Sequence, residues 1–204
     1  MFHRMKTRIR KYQFNTSCKG ILETPPVAAV DEGPVILSEV SNADSLMYLV
    51  AVKSLSSQIG GGKVVLLLDR DCPQEIVRVY EEHVSPWKVF HVEDQVSPKC
   101  PVGGTWERIL TIAQLVENDY VIQVDSDTVT NDSVPEVAHH IARQSSFMIG
   151  TWSDQEIEPV AASAARARES NSRHVQMLGE QQLTALKGVD DLLYARGQSS
   201  FAGF

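Results

Sequence analysis

Tyr120-Val121-Ile122-Gln123-Val124-Asp125-Ser126-Asp127-Thr128-Val129 is the stretch that decides the fold. Its first residues are mostly apolar and favour an extended chain, and two aspartates one residue apart follow at once. A buried-type strand that delivers acidic side chains at its carboxyl end aims them at the crevice where open α/β sheets bind ligands. Asp125 and Asp127 are therefore candidate hard-oxygen ligands for Mg²⁺ or Mn²⁺, which would bridge them to a diphosphate. A solvated acidic turn is the competing reading. The position of the pair, late in a series of strand–helix units, favours metal-assisted chemistry on a phosphorylated substrate.

Upstream, strand and helix signals alternate. Val35-Ile36-Leu37 reads as a first strand ending near Ser41-Asn42. Asp44 or Ser45 then caps a helix through Leu46, Leu49, Val50, Val52 and Leu55, apolar at helical spacing, and Gly60-Gly61-Gly62 stops it. Lys63–Leu68 is a continuous apolar run, as expected of a strand covered on both faces, and it ends in Asp69-Arg70-Asp71. Pro73 opens a helix carrying Ile76, Val77, Val79 and Tyr80. Trp87–Val92 gives a third strand and Thr105–Val116 a further helix before the Tyr120 strand. Right-handed crossovers assemble three such units into a parallel sheet. The predicted fold class is α/β, a Rossmann-like, mostly parallel sheet flanked by helices.

Downstream, Pro135–Arg143 reads as a helix, Phe147–Trp152 as a strand, and Pro159–Leu193 as one or two helices. The predicted organisation is a basic arm and linker over residues 1–33, an α/β domain over 34–152, and a helical segment over 153–204. The last of these would begin an incomplete second half, because the apolar terminus Phe201-Ala202-Gly203-Phe204 suggests a fold that continues in a longer parent.

The 204 residues, 43% hydrophobic and 22% charged, have the composition of a soluble globular protein. A net charge of -7 argues against a general nucleic-acid binder. Arg4, Lys6, Arg8, Arg10, Lys11 and Lys19 all precede the first acidic residue, Glu23. The expectation for this start is a solvated, disordered arm; weak attachment to anionic lipid is the sharper alternative. It lacks the apolar stretch of a signal peptide, and no segment is long enough to span a bilayer. Cys18, Cys72 and Cys100 have no metal-ligand spacing and are expected as free thiols in a reducing cytoplasm. The expected location is cytoplasmic, at most peripheral to a membrane.

Thr105-Trp106-Glu107-Arg108-Ile109-Leu110, the helix it opens and the Tyr120–Val129 stretch together resemble the nucleotide-sugar glycosyltransferases of the GT-A fold. The nearest resemblance is to the glycogenin-like retaining branch, where an aromatic–x–Arg–Leu-like helix start precedes a strand ending in Asp-x-Asp. The resemblance spans about Val35 to Trp152, and only Thr105–Val129 is motif-grade. It implies transfer of a sugar from a nucleoside-diphosphate sugar, a UDP-sugar by preference, to an acceptor that it leaves open. It implies Asp125 and Asp127 as Mn²⁺ or Mg²⁺ ligands on the donor diphosphate, and Arg108 as a phosphate or sugar contact. By the same analogy, Asp69 would hydrogen-bond the base or ribose. Read without the resemblance, Arg108 is equally an exposed helix charge, and Asp69-Arg70-Asp71 equally a turn leading into a helix. The first strand is read as lacking the acidic residue that often contacts the base in that branch. His139, His140 and His174 come too early for its late metal-binding histidine.

The chemistry fits these residue types. A departing diphosphate accumulates negative charge, and a divalent cation held by two carboxylates stabilises it by several kcal/mol, roughly. Two rivals stand beside this reading. A haloacid-dehalogenase-like phosphohydrolase would use Asp125 as nucleophile and Asp127 as acid/base, with Lys187 and Asp190-Asp191 as later elements. Its motif normally sits on the first strand of the domain, whereas three strand-like segments come first here. The other rival is an inactive fragment that only binds nucleotide. No general base is nominated.

Overall fold

The computed structural model describes every residue except Met1, Gly104, residues 152–154 and Asp190. The expected strand end at Trp152 and the Asp190 invoked for the phosphohydrolase lie outside the described residues. The chain forms two compact units, Met1–Met148 with Ser199–Phe204, and Ile149–Gln198.

The first unit is built on a six-stranded sheet of order β3-β2-β1-β4-β8-β5. Its strands are β1 (Val35–Val40), β2 (Lys63–Leu68), β3 (Lys88–His91), β4 (Val121–Val124), β5 (Phe147–Gly150) and β8 (Gly197–Gly203). β1 runs parallel to both β2 and β4, pairing Val35 with Lys63 on one side and with Val121 on the other. β2 and β3 are also parallel. The mostly parallel α/β sheet expected from the alternation is present.

Apolar residues dominate β1, β2 and β4 because both faces are covered there. Ile36, Val40, Val64, Leu66, Leu68, Ile122 and Val124 pack in one cluster with α2 (Ser45–Ile59), α3 (Gln74–Val84) and α5 (Pro135–Arg143). Val35, Leu37, Val65, Leu67 and Val121 pack in another with α4 (Trp106–Leu115) through Leu115 and Ile112. The helix after β1 and the helix after β2 thus share a face, and the helix before β4 takes the other. The chain reverses its direction of winding between β1 and β4, where an open sheet leaves a crevice at its carboxyl edge.

Two segments differ from expectation. Phe2–Cys18 forms a helix, α1, followed by a 3₁₀ turn over Lys19–Glu23, in place of a disordered arm. No proline or glycine interrupts this stretch before Gly20. The Lys53 ammonium then ties down its exit, donating to the carbonyls of Ile21, Thr24 and Pro25 at 3.0–3.4 Å. At the other end, residues 197–203 form a strand, beyond the stretch read as helical and where no strand was expected. β8 runs antiparallel to β4, pairing Phe201 with Val124 and Gly203 with Ile122. Its small residues permit this insertion, since a Cβ at Gly203 would fall on the Phe147 ring and 2.5 Å from the Tyr120 hydroxyl oxygen.

The second unit contains α6 (Val160–Glu169), α7 (Val175–Gln181), and the short antiparallel pair β6 (Glu158–Pro159) and β7 (Leu193–Tyr194). Its buried carboxylate, Glu180, accepts hydrogen bonds from Tyr194 Oη and Arg196 Nε, each at 2.8 Å. Burial raises the Glu180 pKa, but these bonds outweigh it and hold the carboxyl below its ordinary range. No described helix is long and apolar enough to cross a membrane.

Candidate functional site at the carboxyl edge of the sheet

Asp69, Arg108, Asp125 and Asp127 all line one cavity of about 370 Å³, together with Glu39, Ser41, Asp44, Thr105, Ser126 and Ser199. The strands explain the convergence. β1 contributes Glu39 near its end, β2 is followed directly by Asp69, and β4 is followed directly by Asp125. The first turn of α4 brings in Arg108.

Asp125 is the most constrained of the carboxylates. Its backbone N–H donates to the Ser200 carbonyl at 2.8 Å, so β8 sets its position. Its carbonyl accepts from the Thr128 hydroxyl at 2.9 Å, closing the turn that carries Asp127. Its Oδ1 accepts from Arg108 Nη1 at 2.5 Å and from Gln123 Nε2 at 3.0 Å. The same Gln123 amide donates to the Ser199 carbonyl. Among the described residues Asp125 Oδ2 accepts no hydrogen bond. Asp127 is exposed, and its carboxylate has no hydrogen-bond or ion-pair partner among the described residues.

Arg108 is buried rather than an exposed helix charge, with 8% of its surface accessible. Besides Asp125, its Nε lies 3.9 Å from Glu39 Oε2. Neighbouring Glu107 is also buried and accepts the Gly103 N–H at 2.6 Å through Oε1. Thr105, at the entry to α4, has φ +79°, a left-handed conformation that a β-branched residue seldom adopts. This strain lies on the cavity wall.

Asp69 takes the turn role that its sequence context allowed, with Oδ1 accepting the Arg70 N–H at 2.8 Å, and the residue also lines the cavity. A second hollow of about 410 Å³ shares Glu39 and Asp69 with the first and adds Arg70, Val92, Val96 and Val102.

Glu39, near the end of β1, puts an acidic side chain on the cavity wall that the reading of the first strand did not nominate. Burial raises its pKa, Arg108 opposes that shift, and Asp69, Glu107 and Asp125 add to it. The sequence signal was a lone charge inside an apolar strand. Asp44 is a further missed carboxylate on the same wall.

Among the described wall residues, Arg108 is the one cation beside five carboxylates, which leaves the cavity short of positive charge. Among the described residues no three His, Cys, Asp or Glu side chains converge to hold a metal by themselves. Asp125 and Asp127 nevertheless fit a Mg²⁺-type site, where one or two carboxylates suffice and phosphate and water complete the shell. A larger hollow of about 570 Å³ shares no wall with this one. It is mainly apolar, and Lys53, its charged wall residue, is already engaged by backbone carbonyls.

No family model matches the chain, and no curated protein matches it. Among solved structures, the apo WbbM bifunctional glycosyltransferase aligns with 88% of this chain and 32% of its own, at TM-score 0.50 and 12% identity. Apo mouse xyloside xylosyltransferase 1 aligns with TM-score 0.43 and 14% identity, over 84% of this chain and 66% of its own. The Mn/GDP form of core-mannan synthase A from Aspergillus fumigatus aligns with TM-score 0.43 and 11% identity, over 88% and 61%. The chain spans about a third of the length of the first of these. The likeness to WbbM is one of fold.

Proposed function

We propose that the chain carries the donor site of a metal-dependent glycosyltransferase that takes a nucleoside-diphosphate sugar. The observation that carries this reading is the gathering of Asp69, Arg108, Asp125 and Asp127 on one cavity at the crossing point between β1 and β4. Likeness of fold to a glycosyltransferase supports it.

Asp125 Oδ2 and the Asp127 carboxylate would hold Mn²⁺ or Mg²⁺. When bound, that cation supplies Lewis-acid stabilisation of the departing diphosphate. Arg108 fixes Asp125 through Oδ1, so the other oxygen keeps a set direction, and its guanidinium adds positive charge beside the phosphates. The base and ribose would occupy the adjoining hollow, whose wall includes Val92, Val96 and Val102 as well as Glu39 and Asp69. The two acids there are acceptors for ribose hydroxyls and base N–H groups. The acceptor, the sugar and the stereochemical outcome belong to parts of the reaction that these residues do not define. The glycogenin-like branch, and the view of this chain as one portion of a longer enzyme, are part of the same proposal.

Calorimetric titration of UDP and UDP-sugars, with and without Mn²⁺, tests the reading on the wild type and on Asp125→Ala/Asp127→Ala. Binding that needs Mn²⁺ and vanishes in the double variant supports it. Binding indifferent to metal contradicts it. Mg²⁺-dependent hydrolysis of p-nitrophenyl phosphate, lost in Asp125→Asn, would favour the phosphohydrolase instead.

A further inference from the structure

We propose that α1 is a surface-lying helix that docks the chain on an anionic lipid bilayer. The donor site does not use α1, and the inference stands on three observations of its own. The first is charge. Six cations and no acid occupy residues 1–22; taking those six from the net -7 leaves -13 on the remainder. A negative surface therefore attracts the helix and repels the rest, which orients the molecule as well as holding it.

The second is exposed apolar surface among those charges. Ile9 and Tyr12 are 49% and 74% accessible, and Lys6 and Arg10 beside them are exposed as well. Ile9 and Tyr12 are three residues apart and so share one side of the helix, with Arg10 and Lys11 between them in the sequence. Mixed in this way, a 17-residue helix is too polar to span a bilayer and suits its interface, where the apolar pair enters the headgroup boundary and the cations meet phosphate.

The third is attachment. A docking helix is useful only if it is tied to the body, and the segment leaving α1 is held firmly. Lys53 Nζ binds Thr24 Oγ1 at 2.9 Å as well as three backbone carbonyls, and the Val27 N–H donates to the His83 carbonyl at 2.8 Å.

Flotation of the full chain with vesicles tests the proposal, comparing phosphatidylcholine alone with phosphatidylcholine mixed with phosphatidylglycerol. Binding is expected on the mixed vesicles only. Lys6→Ala/Arg10→Ala should weaken it by about 25-fold, at about five-fold per cation. Ile9→Ser/Tyr12→Ser should abolish the fraction that survives high salt. Circular dichroism melts should match the wild type for both variants, since the side chains changed are exposed. Absence of flotation overturns the proposal, as does flotation that Lys6→Ala/Arg10→Ala leaves unchanged. Equal binding of a random oligonucleotide, insensitive to Ile9→Ser/Tyr12→Ser, would make α1 a general polyanion binder. Self-association lost in Ile9→Ser/Tyr12→Ser, without vesicle binding, would assign the pair to a second copy of the chain.

Discussion

Arg108 Nη1 sits 2.5 Å from Asp125 Oδ1, and the pair joins the start of α4 to the end of β4 on the wall of the cavity. Its consequence is a division of labour between the two aspartates. Asp125 is part of the structure, held by Arg108, Gln123 and the β8 backbone, whereas Asp127 is exposed and unpartnered among the described residues. Asp127→Asn should therefore leave the melting midpoint unchanged, within about 0.5 kcal/mol, while removing Mn²⁺-dependent nucleotide binding. Asp125→Asn should remove the same binding and also cost about 1.5–3 kcal/mol, because a buried guanidinium loses its charged acceptor. Denaturant melts with and without Mn²⁺ and UDP separate the two outcomes.

Thr105 holds φ +79° at the entry to α4, where a β-branched side chain costs about 1–2 kcal/mol. Thr105→Gly releases that strain but adds freedom to the unfolded chain, so a net gain of about 0.5–1 kcal/mol is expected by urea titration. A loss of stability would mean that the Thr105 side chain makes contacts worth more than the strain.

Glu39 gives a pH signature. Burial, aided by its acidic neighbours and opposed by Arg108, holds its carboxyl above the ordinary range in the folded chain. The folded state therefore prefers the protonated form, and the associated stability is complete below the unfolded pKa and lost as pH rises through the raised value. Glu39→Gln should stabilise the chain at neutral pH and have no effect below about pH 4, where both side chains are uncharged. Melting curves across that range check the sign. Saturating Mn²⁺ should narrow the difference by relieving the acidic crowding.

Gly203→Ala tests whether β8 belongs in the sheet. A Cβ there meets the Phe147 ring and the Tyr120 hydroxyl, and Tyr120 already donates to the Ser145 carbonyl at 2.8 Å. Overpacking of this kind costs about 1–3 kcal/mol. Because β8 carries the Ser200 carbonyl that holds Asp125, nucleotide binding should weaken as well. A variant with unchanged stability and binding would remove β8 from the account.

The elements most legible in the sequence are those whose burial is two-sided. β1, β2 and β4 hold unbroken apolar runs at Val35–Leu37, Val64–Leu68 and Val121–Ile122 because helices cover both faces, and Gly60, with φ +81°, ends α2 where the Gly-Gly-Gly run suggested. Glu39 is hidden because one acid between Ser38 and Val40 looks like a strand edge, and only the pairing of β1 with β2 and β4 turns it toward the crevice. β8 is hidden for another reason. Gly197-Gln198-Ser199-Ser200-Phe201-Ala202-Gly203 has no β-branched residue, so its strand arises from pairing with β4, some 76 positions away, and not from local propensity. α1 is the reverse case, since its charge suggested solvation while its lack of breakers permitted a helix.

Titration calorimetry of a UDP-sugar into the Asp127→Asn variant, beside the wild type and in the presence and absence of Mn²⁺, tests the central claim most directly. The account predicts that the wild type binds only with Mn²⁺ and that the equally stable variant binds in neither condition. Mn²⁺-dependent binding of undiminished strength in Asp127→Asn would contradict it.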